Sequence, residues 1–209
     1  MGIFDGIRRD RARRGATGPL AGLYAAEAHP ERRLAVDVET TGLDPDADHL
    51  LSIGWVPVDG AEIILGGAGH VVLRREDMDS VGESATLHGL TDDMVASGED
   101  PAEAVAMVLR ALTGRRLLAH FADMELGFLD RACRRHFGAG FDVPADDTMT
   151  REFARISAAG RRPGRDELRL WNVRAGYGLP ATRAHHALND ALACAEVWLA
   201  QDAHRVPRR

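Results

Sequence analysis

The sequence contains no lysine, only two cysteines and no long apolar run. All 26 basic side chains are therefore arginines, which with the abundance of alanine and glycine indicates a GC-rich coding bias rather than a function. Because a membrane-spanning helix needs about 18 or more consecutive apolar residues, none is predicted, and no apolar signal segment is recognised at the start. Cys133 and Cys194 are not spaced as metal ligands, so we expect free thiols and a cytoplasmic protein.

The length of 209 residues suits one domain with a proper hydrophobic core. We expect this domain at 33–204, after an N-terminal helical and basic extension at 1–32. The arginine-rich run at 8–14 is interpreted as a solvated arm, with a contact to nucleic acid or to a partner as the alternative. A formal net charge of −6 does not exclude a nucleic-acid substrate, since local arginines can contact phosphates and bound cations can neutralise the reacting one.

Apolar periodicity predicts three strands first, and then helices that alternate with one more strand. The strands are expected at 34–43, 49–58, 62–73 and 116–120, with a bulge at 66–69. The helices are expected at 91–95, 101–113, 123–137, 148–156, 167–175 and 186–203, and most of 140–165 is expected to be loop. This order predicts an α/β fold with a mixed central sheet and flanking helices.

Two acids lie inside the first predicted strand, where a buried strand normally carries none. Side chains alternate across a strand, so Asp37 and Glu39 project from one face while Val36 and Val38 fill the other. Burying two neighbouring carboxylates is costly and raises the pKa of each unless a cation lies between them. No arginine lies within 34–43, so the two acids predict a metal site. The alternative is a pair of solvated acids on an edge strand.

Two later segments add residues of the same kind. Glu125 lies early in the helix that follows the fourth predicted strand, and His185 precedes Asp190 by five residues at the start of the last helix. The order D-x-E, acidic helix, H-x4-D resembles the DEDDh branch of the DnaQ-like 3′-to-5′ exonucleases over 34–199. The segments at 87–90, 147–148 and 170–179 resemble the family's H-G-I, D-T and L-x2-L-x3-Y-G-L stretches.

The resemblance implies a ribonuclease H-like fold and a site for two divalent cations, Mg²⁺ or Mn²⁺, which prefer oxygen ligands. Asp37 would bridge both cations. Glu39 and Asp190 would hold the cation that activates water, and Glu125 would support the other one.

The resemblance also implies a general base. His185 would accept the proton of the attacking water, a task suited to a side chain that titrates near neutrality. His186 is the alternative for this role, and is otherwise expected to be a packing residue or a phosphate contact.

The sequence departs from the family pattern at the acidic helix. Phe121 replaces the family's Asn, and Glu125 occupies the position of its Asp. Asp123 is the rival for the role of this acid. Glu125 lies three and four residues before Phe128 and Leu129, so we expect it to share their inward face while Asp123 turns away.

Other residues complete the predicted site. The expected substrate contacts are Thr40, Thr41, Leu43 and His88. For His88 a structural role in a capped turn is the equal alternative, and His120 is expected in the core. The three tryptophans, Trp55, Trp171 and Trp198, are expected in the core as well.

These observations predict an enzyme that releases nucleoside monophosphates from nucleic-acid 3′ ends, with DNA favoured over RNA and a role in proofreading or repair. One alternative is an exoribonuclease that trims RNA or oligoribonucleotide 3′ ends. The other is a nucleic-acid-binding module of the same fold with little catalysis. The resemblance leaves a polymerase or other protein partner open, and no membrane association is expected.

Overall fold

The computed structural model describes residues 13–75, 89–182 and 185–204. Its six strands are β1 (Arg32–Thr40), β2 (Leu50–Asp59), β3 (Glu62–Ile63), β4 (Gly69–Val72), β5 (Arg116–Ala119) and β6 (Ala145–Asp147). Its helices are α1 (Gly18–Ala25), α2 (Asp92–Ala96), α3 (Pro101–Leu112), α4 (Asp123–Phe137), α5 (Thr148–Ala158), α6 (Leu170–Gly176) and α7 (Ala187–Ala203). Short 3₁₀ turns lie at Leu65–Gly67 and Asp166–Leu168. In the described ranges, no helix has the length and apolar character needed to cross a membrane.

All six strands belong to one mixed sheet. Strand β2 is antiparallel to β1, while β3 and β4 both pair with the other edge of β2. Strand β5 is parallel to β1, and β6 is parallel to β5. Parallel strands end at the same edge of a sheet, so the residues that follow β1, β5 and β6 come together there. The predicted α/β fold, with a mixed central sheet and flanking helices, is confirmed.

The alternation of side chains along β1 divides them between two hydrophobic cores. Val36 belongs to the larger core, which also contains residues of α3 and α4. Ala35 belongs to a smaller core with Trp198 of α7. Asp37 and Glu39 continue the register of Ala35, so they project toward the face of the sheet that α7 covers.

Strand β6 lies in a segment that was predicted to be loop. Its three residues show no apolar alternation, which is why the pattern gave no strand signal. The strand is stabilised by polar contacts instead. Nε of Arg33 and Nε of Arg116 donate hydrogen bonds to Oδ2 of Asp146 at 2.9 and 2.8 Å; Arg116 belongs to the adjacent strand β5 and Arg33 to β1 beyond it.

The remaining elements agree in part with the predicted ones. The predicted third strand is two short strands, separated by a 3₁₀ turn rather than a bulge. Thr91 caps α2 as expected, since its Oγ1 accepts a hydrogen bond from the backbone N–H of Met94 at 3.3 Å. Gly138 ends α4 with a φ of 74°. The domain boundary at residue 33 stays a prediction, and the helix before it, α1, contributes Leu20 and Leu23 to the larger core.

Candidate active site

The acids of β1 lie beside the start of α7. Asp37 pairs with Gly54 of β2, and a Cβ added to Gly54 would overlap the backbone of Ala187 and Leu188. Only glycine therefore allows the first turn of α7 to approach the sheet at this point. Asp190 lies in that first turn, so the close approach brings it to the carboxylates of β1.

Three of the four predicted metal ligands form a compact group. One carboxylate oxygen each of Asp37, Glu39 and Asp190 can be chosen so that all three atoms lie within 4.8 Å of one another. Glu39 is buried and the other two are half-buried. Carboxylate oxygens are the ligands that Mg²⁺ and Mn²⁺ prefer, so this donor set fits a hard divalent cation.

The fourth predicted ligand, Glu125, lies in the first turn of α4 and is only 3% exposed. Asp123 is exposed, so the inward face predicted for Glu125 is confirmed. Glu125 is not a member of the 4.8 Å group, but its charge raises the pKa of Asp37. Considering the described residues alone, the buried Oε2 of Glu125 has no hydrogen-bond partner, which is costly for a carboxylate and fits a site made for a cation.

Burial disfavours the charged forms of these acids. It is the largest cause of the raised pKa of Asp37, which lies well above its usual range, and Glu125, Glu39 and Asp190 add to the rise. Burial also raises the pKa of Glu125 to about 8. The pKa of Asp190 is raised by burial, although the backbone N–H of His185 opposes this by donating a hydrogen bond to its carboxylate. A bound cation would offset all of these effects.

The start of α4 is fixed by an acid from a neighbouring strand. Asp147, at the end of β6, accepts hydrogen bonds from the backbone N–H groups of Phe121 and Ala122 at 3.2 and 3.0 Å. The same carboxylate caps α5 through the N–H of Met149 at 2.8 Å. Phe121 has a φ of 77°, which an Asn adopts more readily than a Phe, so these bonds maintain a strained backbone. Asp147 therefore positions the helix that carries Glu125. The sequence offered only the D-T resemblance as a signal for it.

Both ring nitrogens of His120 contact other parts of the protein. Its Nδ1 lies 2.8 Å from Oγ1 of Thr148, and its Nε2 lies 2.8 Å from the carbonyl oxygen of Leu168. The residue is half-buried, and both ring nitrogens are engaged in linking β5 to the segments that follow β6.

The two adjacent histidines before α7 have different surroundings. The backbone N–H of His185 donates to Oδ2 of Asp190 at 2.8 Å, and its φ of 64° is unusual for a residue other than glycine. Its ring lies edge-on to Trp171, with 6.0 Å between the ring centres. His186 instead stacks on His70 of β4, with 4.6 Å between the ring centres. His70 is therefore a packing partner of His186, in agreement with the packing role given as the alternative for this histidine.

The prediction that Trp171 belongs to the core is wrong, because this side chain is 44% exposed. The other two tryptophans are buried as expected. Trp171 lies between the ring of His185 and the guanidinium of Arg169, whose carbon is 5.3 Å from the indole centre. The signal available in the sequence was the polar character of its near neighbours, Arg169 and Asn172.

The predicted substrate contacts differ in what they offer. Oγ1 of Thr40 donates to the carbonyl oxygen of Gly42 at 2.6 Å, and Oγ1 of Thr41 contacts Oδ1 of Asp48 at 3.2 Å, so both hydroxyls stabilise the turn after β1. Leu43 is 80% exposed and so is available for contact with a ligand. The fourth predicted contact, His88, lies outside the described residues.

Comparison with solved structures relates this architecture to nucleases. An E. coli ExoI–ssDNA complex matches with a TM-score of 0.72 and 17% identity, over 85% of this chain and 41% of that chain. This chain thus spans less than half of the length of that nuclease. At such an identity the likeness concerns the fold, and it confirms the predicted ribonuclease H-like architecture.

Sequence comparison then gives the family. The DNA polymerase III subunit epsilon of Treponema pallidum is 30% identical over 173 residues, which cover 81% of this chain and 76% of that protein. The corresponding subunit of Haemophilus influenzae is 28% identical over 179 residues, covering 82% and 67%. The model of the exonuclease family RNase_T matches residues 34–198. The chain belongs to this exonuclease family, and the DnaQ-like resemblance is confirmed.

Proposed function

We propose that this exonuclease removes nucleoside monophosphates from the 3′ ends of DNA and depends on divalent metal ions. The observation that carries the proposal is the group of Asp37, Glu39 and Asp190 oxygens within 4.8 Å. The buried and unsatisfied Oε2 of Glu125 supports it. Relatives named as DNA polymerase III epsilon subunits, and a similar fold seen with single-stranded DNA, favour DNA over RNA and a proofreading or repair role in the cytoplasm.

The four carboxylates would hold two divalent cations, Mg²⁺ or Mn²⁺. Asp37 would contribute to both positions, Glu39 and Asp190 to one, and Glu125 to the other. Bound there, the cations would supply the Lewis acidity that lowers the pKa of an attacking water and offsets charge on the phosphodiester. The protein supplies an acidic, buried and preorganised set of oxygens, which is the arrangement such ions need.

His185 would accept the proton of the attacking water. Its backbone bond to Asp190 places it beside the acidic group, and the edge-on contact with Trp171 restricts the orientation of its ring. Its positive φ adds to this interpretation, because strained backbone is maintained most often where a side chain must be held in one place.

The nucleic acid would contact the turn after β1. We assign Thr40 and Thr41 to backbone contacts with the terminal nucleotide, since their hydroxyls already stabilise the turn. Exposed Leu43 would stack on the terminal base. His88 would lie beside the same nucleotide.

The direct test is digestion of 5′-labelled single-stranded DNA, duplex DNA and RNA with Mg²⁺, Mn²⁺ or EDTA. We expect a ladder of products shortened from the 3′ end of DNA with either ion and no products with EDTA. Faster digestion of RNA than of DNA would establish the exoribonuclease alternative. Binding of the strands without any cleavage would contradict the proposal and favour a binding module of the same fold.

A further inference from the structure

A second region of the molecule is rich in basic side chains, whereas the candidate active site is acidic. A cavity of about 350 Å³ lies beside the turn between β1 and β2. Its basic side chains come from the residues just before β2, the residues just after β4 and the helix α4, and they are His49, Arg74, Arg75, Arg131, Arg135 and His136. Among the described residues, two acids line it as well, Asp48 and Asp100, and Oδ2 of Asp100 lies 3.6 Å from Nη2 of Arg74. In a chain with a formal net charge of −6, such a local excess of arginine favours an anionic ligand.

Three apolar side chains, Leu73, Val105 and Phe128, lie behind the basic ones and are almost fully buried, so they pack the wall of the cavity rather than offer contact surface. The volume is in the range of small-ligand sites. Guanidinium groups bind phosphate through paired hydrogen bonds and stack on flat rings, so these arginines suit a ligand that combines a base with a phosphate group, which describes a nucleotide unit.

Protein contacts hold several of the basic side chains in place. Nη1 of Arg131 donates to the carbonyl oxygen of Asp48 at 3.2 Å and to that of Pro45. Nη2 of Arg75 lies 2.6 Å from Nδ1 of His49. Donors that are already ordered lose less entropy when a ligand binds. Each guanidinium carries five N–H groups, so these contacts of Arg131 leave donors for a phosphate.

The cavity is connected to the candidate active site through the sheet. The backbone N–H of Thr41 donates to the carbonyl oxygen of His49 at 3.0 Å, and the N–H of His49 donates to Oγ1 of Thr41 at 2.9 Å. His49 therefore lies across from Thr41, the first residue after β1. The cavity itself lies on the face of the sheet that α3 and α4 cover, whereas the carboxylates of β1 face α7.

We propose that this cavity is a separate binding site for a phosphate-bearing nucleotide unit. The choice of a nucleotide rests on the proposed function, whereas the preference for an anion follows from the arginines themselves. The phosphate group belongs either to the substrate strand or to a free nucleoside monophosphate. Both present the same kind of group to the arginines, so the experiment has to distinguish them.

Arg135 is the residue to change, because it lines the cavity, is exposed and forms no ion pair with any described residue. Arg134, its neighbour on α4, is the matched control. It lies outside the cavity and pairs with Asp130 at 2.7 Å. Both replacements, Arg135→Glu and Arg134→Glu, change the net charge of the protein equally, so a general electrostatic effect would appear in both.

The experiment measures binding in EDTA to the full chain. The probes are a short labelled oligothymidylate, followed by fluorescence anisotropy, and deoxyadenosine monophosphate, followed by calorimetry. Arg135→Glu should weaken binding at least about tenfold, as expected for loss of a charge-assisted hydrogen bond, with a smaller loss for Arg135→Gln. Arg134→Glu should change binding by less than about threefold.

Loss with both probes would identify a site that accepts a free nucleotide, and loss with the oligothymidylate alone would identify a site for the strand. Equal effects of Arg135→Glu and Arg134→Glu, or no binding to the unchanged protein, would overturn the proposal. Cleavage with Mn²⁺ is measured separately. A protein that binds in EDTA and never cleaves would contradict the proposed function and leave the nucleotide site standing.

Discussion

Two carboxylates on the same sheet have opposite environments. Asp146 of β6 accepts hydrogen bonds from Arg33 and Arg116, and although burial raises its pKa, these bonds and charges leave the pKa below its usual range. Asp37 of β1 lies among other acids, and its pKa is well above its usual range. Over the part of the chain that the structure describes, Asp37 forms no ion pair with an arginine.

The two acids are close in register but have different charged neighbours. Asp146 is level with Leu118 of β5 and Ala35 of β1, two residues before Asp37, and its carboxylate pairs with Arg33 and Arg116 at the start of β1 and β5. Toward the C-terminal end of β1, arginines are replaced by Glu39 and by acids from α4 and α7. The chain is therefore able to neutralise a half-buried acid internally, and among the described residues it does so for Asp146 and not for Asp37. The carboxylates around Asp37 are where an external cation would stabilise the fold.

The largest expected effect comes from removing the charge of Asp37. Asp37→Asn should abolish cleavage, with a loss of at least about 10³-fold, because metal ions would lose a shared ligand. The same change should leave the apo protein as stable as before or more so, since it removes repulsion. Initial rates on single-stranded DNA with Mn²⁺, together with thermal midpoints in EDTA, measure both quantities.

Asp146→Asn is the matched control for this comparison. It should keep most of the cleavage activity but lower the free energy of unfolding by about 1 to 3 kcal/mol, because Arg33 and Arg116 lose their anionic acceptor. If Asp37→Asn destabilised the apo protein as much as Asp146→Asn does, the contrast between the two acids would be wrong.

Glu125 tests whether the departure from the family pattern is functional. Glu125→Ala should abolish activity nearly as fully as Asp37→Asn, whereas Glu125→Asp should keep appreciable activity because it preserves the charge and shortens the reach by one methylene. Asp123→Ala should be nearly silent, since this exposed acid near a helix N-terminus contributes only about 0.3 to 1 kcal/mol to stability. Initial rates at saturating Mn²⁺ would compare the three variants. An inactive Asp123→Ala variant together with an active Glu125→Ala variant would show that Asp123, and not Glu125, is the fourth metal ligand.

The two histidines before α7 should give a smaller effect. His185→Ala should lower turnover about 10²-fold while metal-induced stabilisation stays nearly unchanged, as expected for loss of a general base. His186→Ala should reduce turnover much less, because His186 stacks on His70. Single-turnover rates would separate the chemical step from binding. A reversed order of the two variants would show that His186 is the base.

A further expected effect is a pH dependence of stability in EDTA. The pKa of Glu125 in the folded protein is raised to about 8, so the folded state binds this proton more tightly than the unfolded state does. Stability should therefore fall as the pH rises from about 4.5 to about 8, by at most about 1.4 kcal/mol per pH unit for each such acid. Glu125→Gln should flatten this fall. Urea midpoints of both proteins across the range measure it, and equal pH slopes for the unchanged chain and Glu125→Gln would contradict the raised pKa.

Several features were predictable because a local pattern determines them. The alternation around Asp37 and Glu39 placed both acids on one face, and the helical spacing of Phe128 and Leu129 placed Glu125 inward. Strand β6 was not predictable in this way, because long-range bonds to Arg33 and Arg116 stabilise it rather than apolar alternation.

The neighbours of His185 show the same limit. The exposed position of Trp171 depends on how α6 meets the loop before α7, and an apolar pattern carries no information about that contact. The hydrogen bonds from the backbone before α4 to Asp147 join residues that are separated by 25 and 26 positions in the sequence, so no local pattern predicts them. Local sequence patterns therefore predicted which acids face inward. The hydrogen bonds and packing contacts that position these acids depend on the tertiary structure.

In the described part of the chain, the acids at the end of β1 lack a cationic side chain among them, so a bound divalent cation should stabilise the folded protein. The most direct measurement is the thermal midpoint in EDTA and in millimolar Mn²⁺ for the unchanged chain, Asp37→Asn and Asp146→Asn. Binding to the folded state alone stabilises it, so the midpoint should rise with Mn²⁺ in the unchanged chain and in Asp146→Asn, and hardly at all in Asp37→Asn. Equal midpoints with and without Mn²⁺ in the unchanged chain would contradict a metal site at these acids.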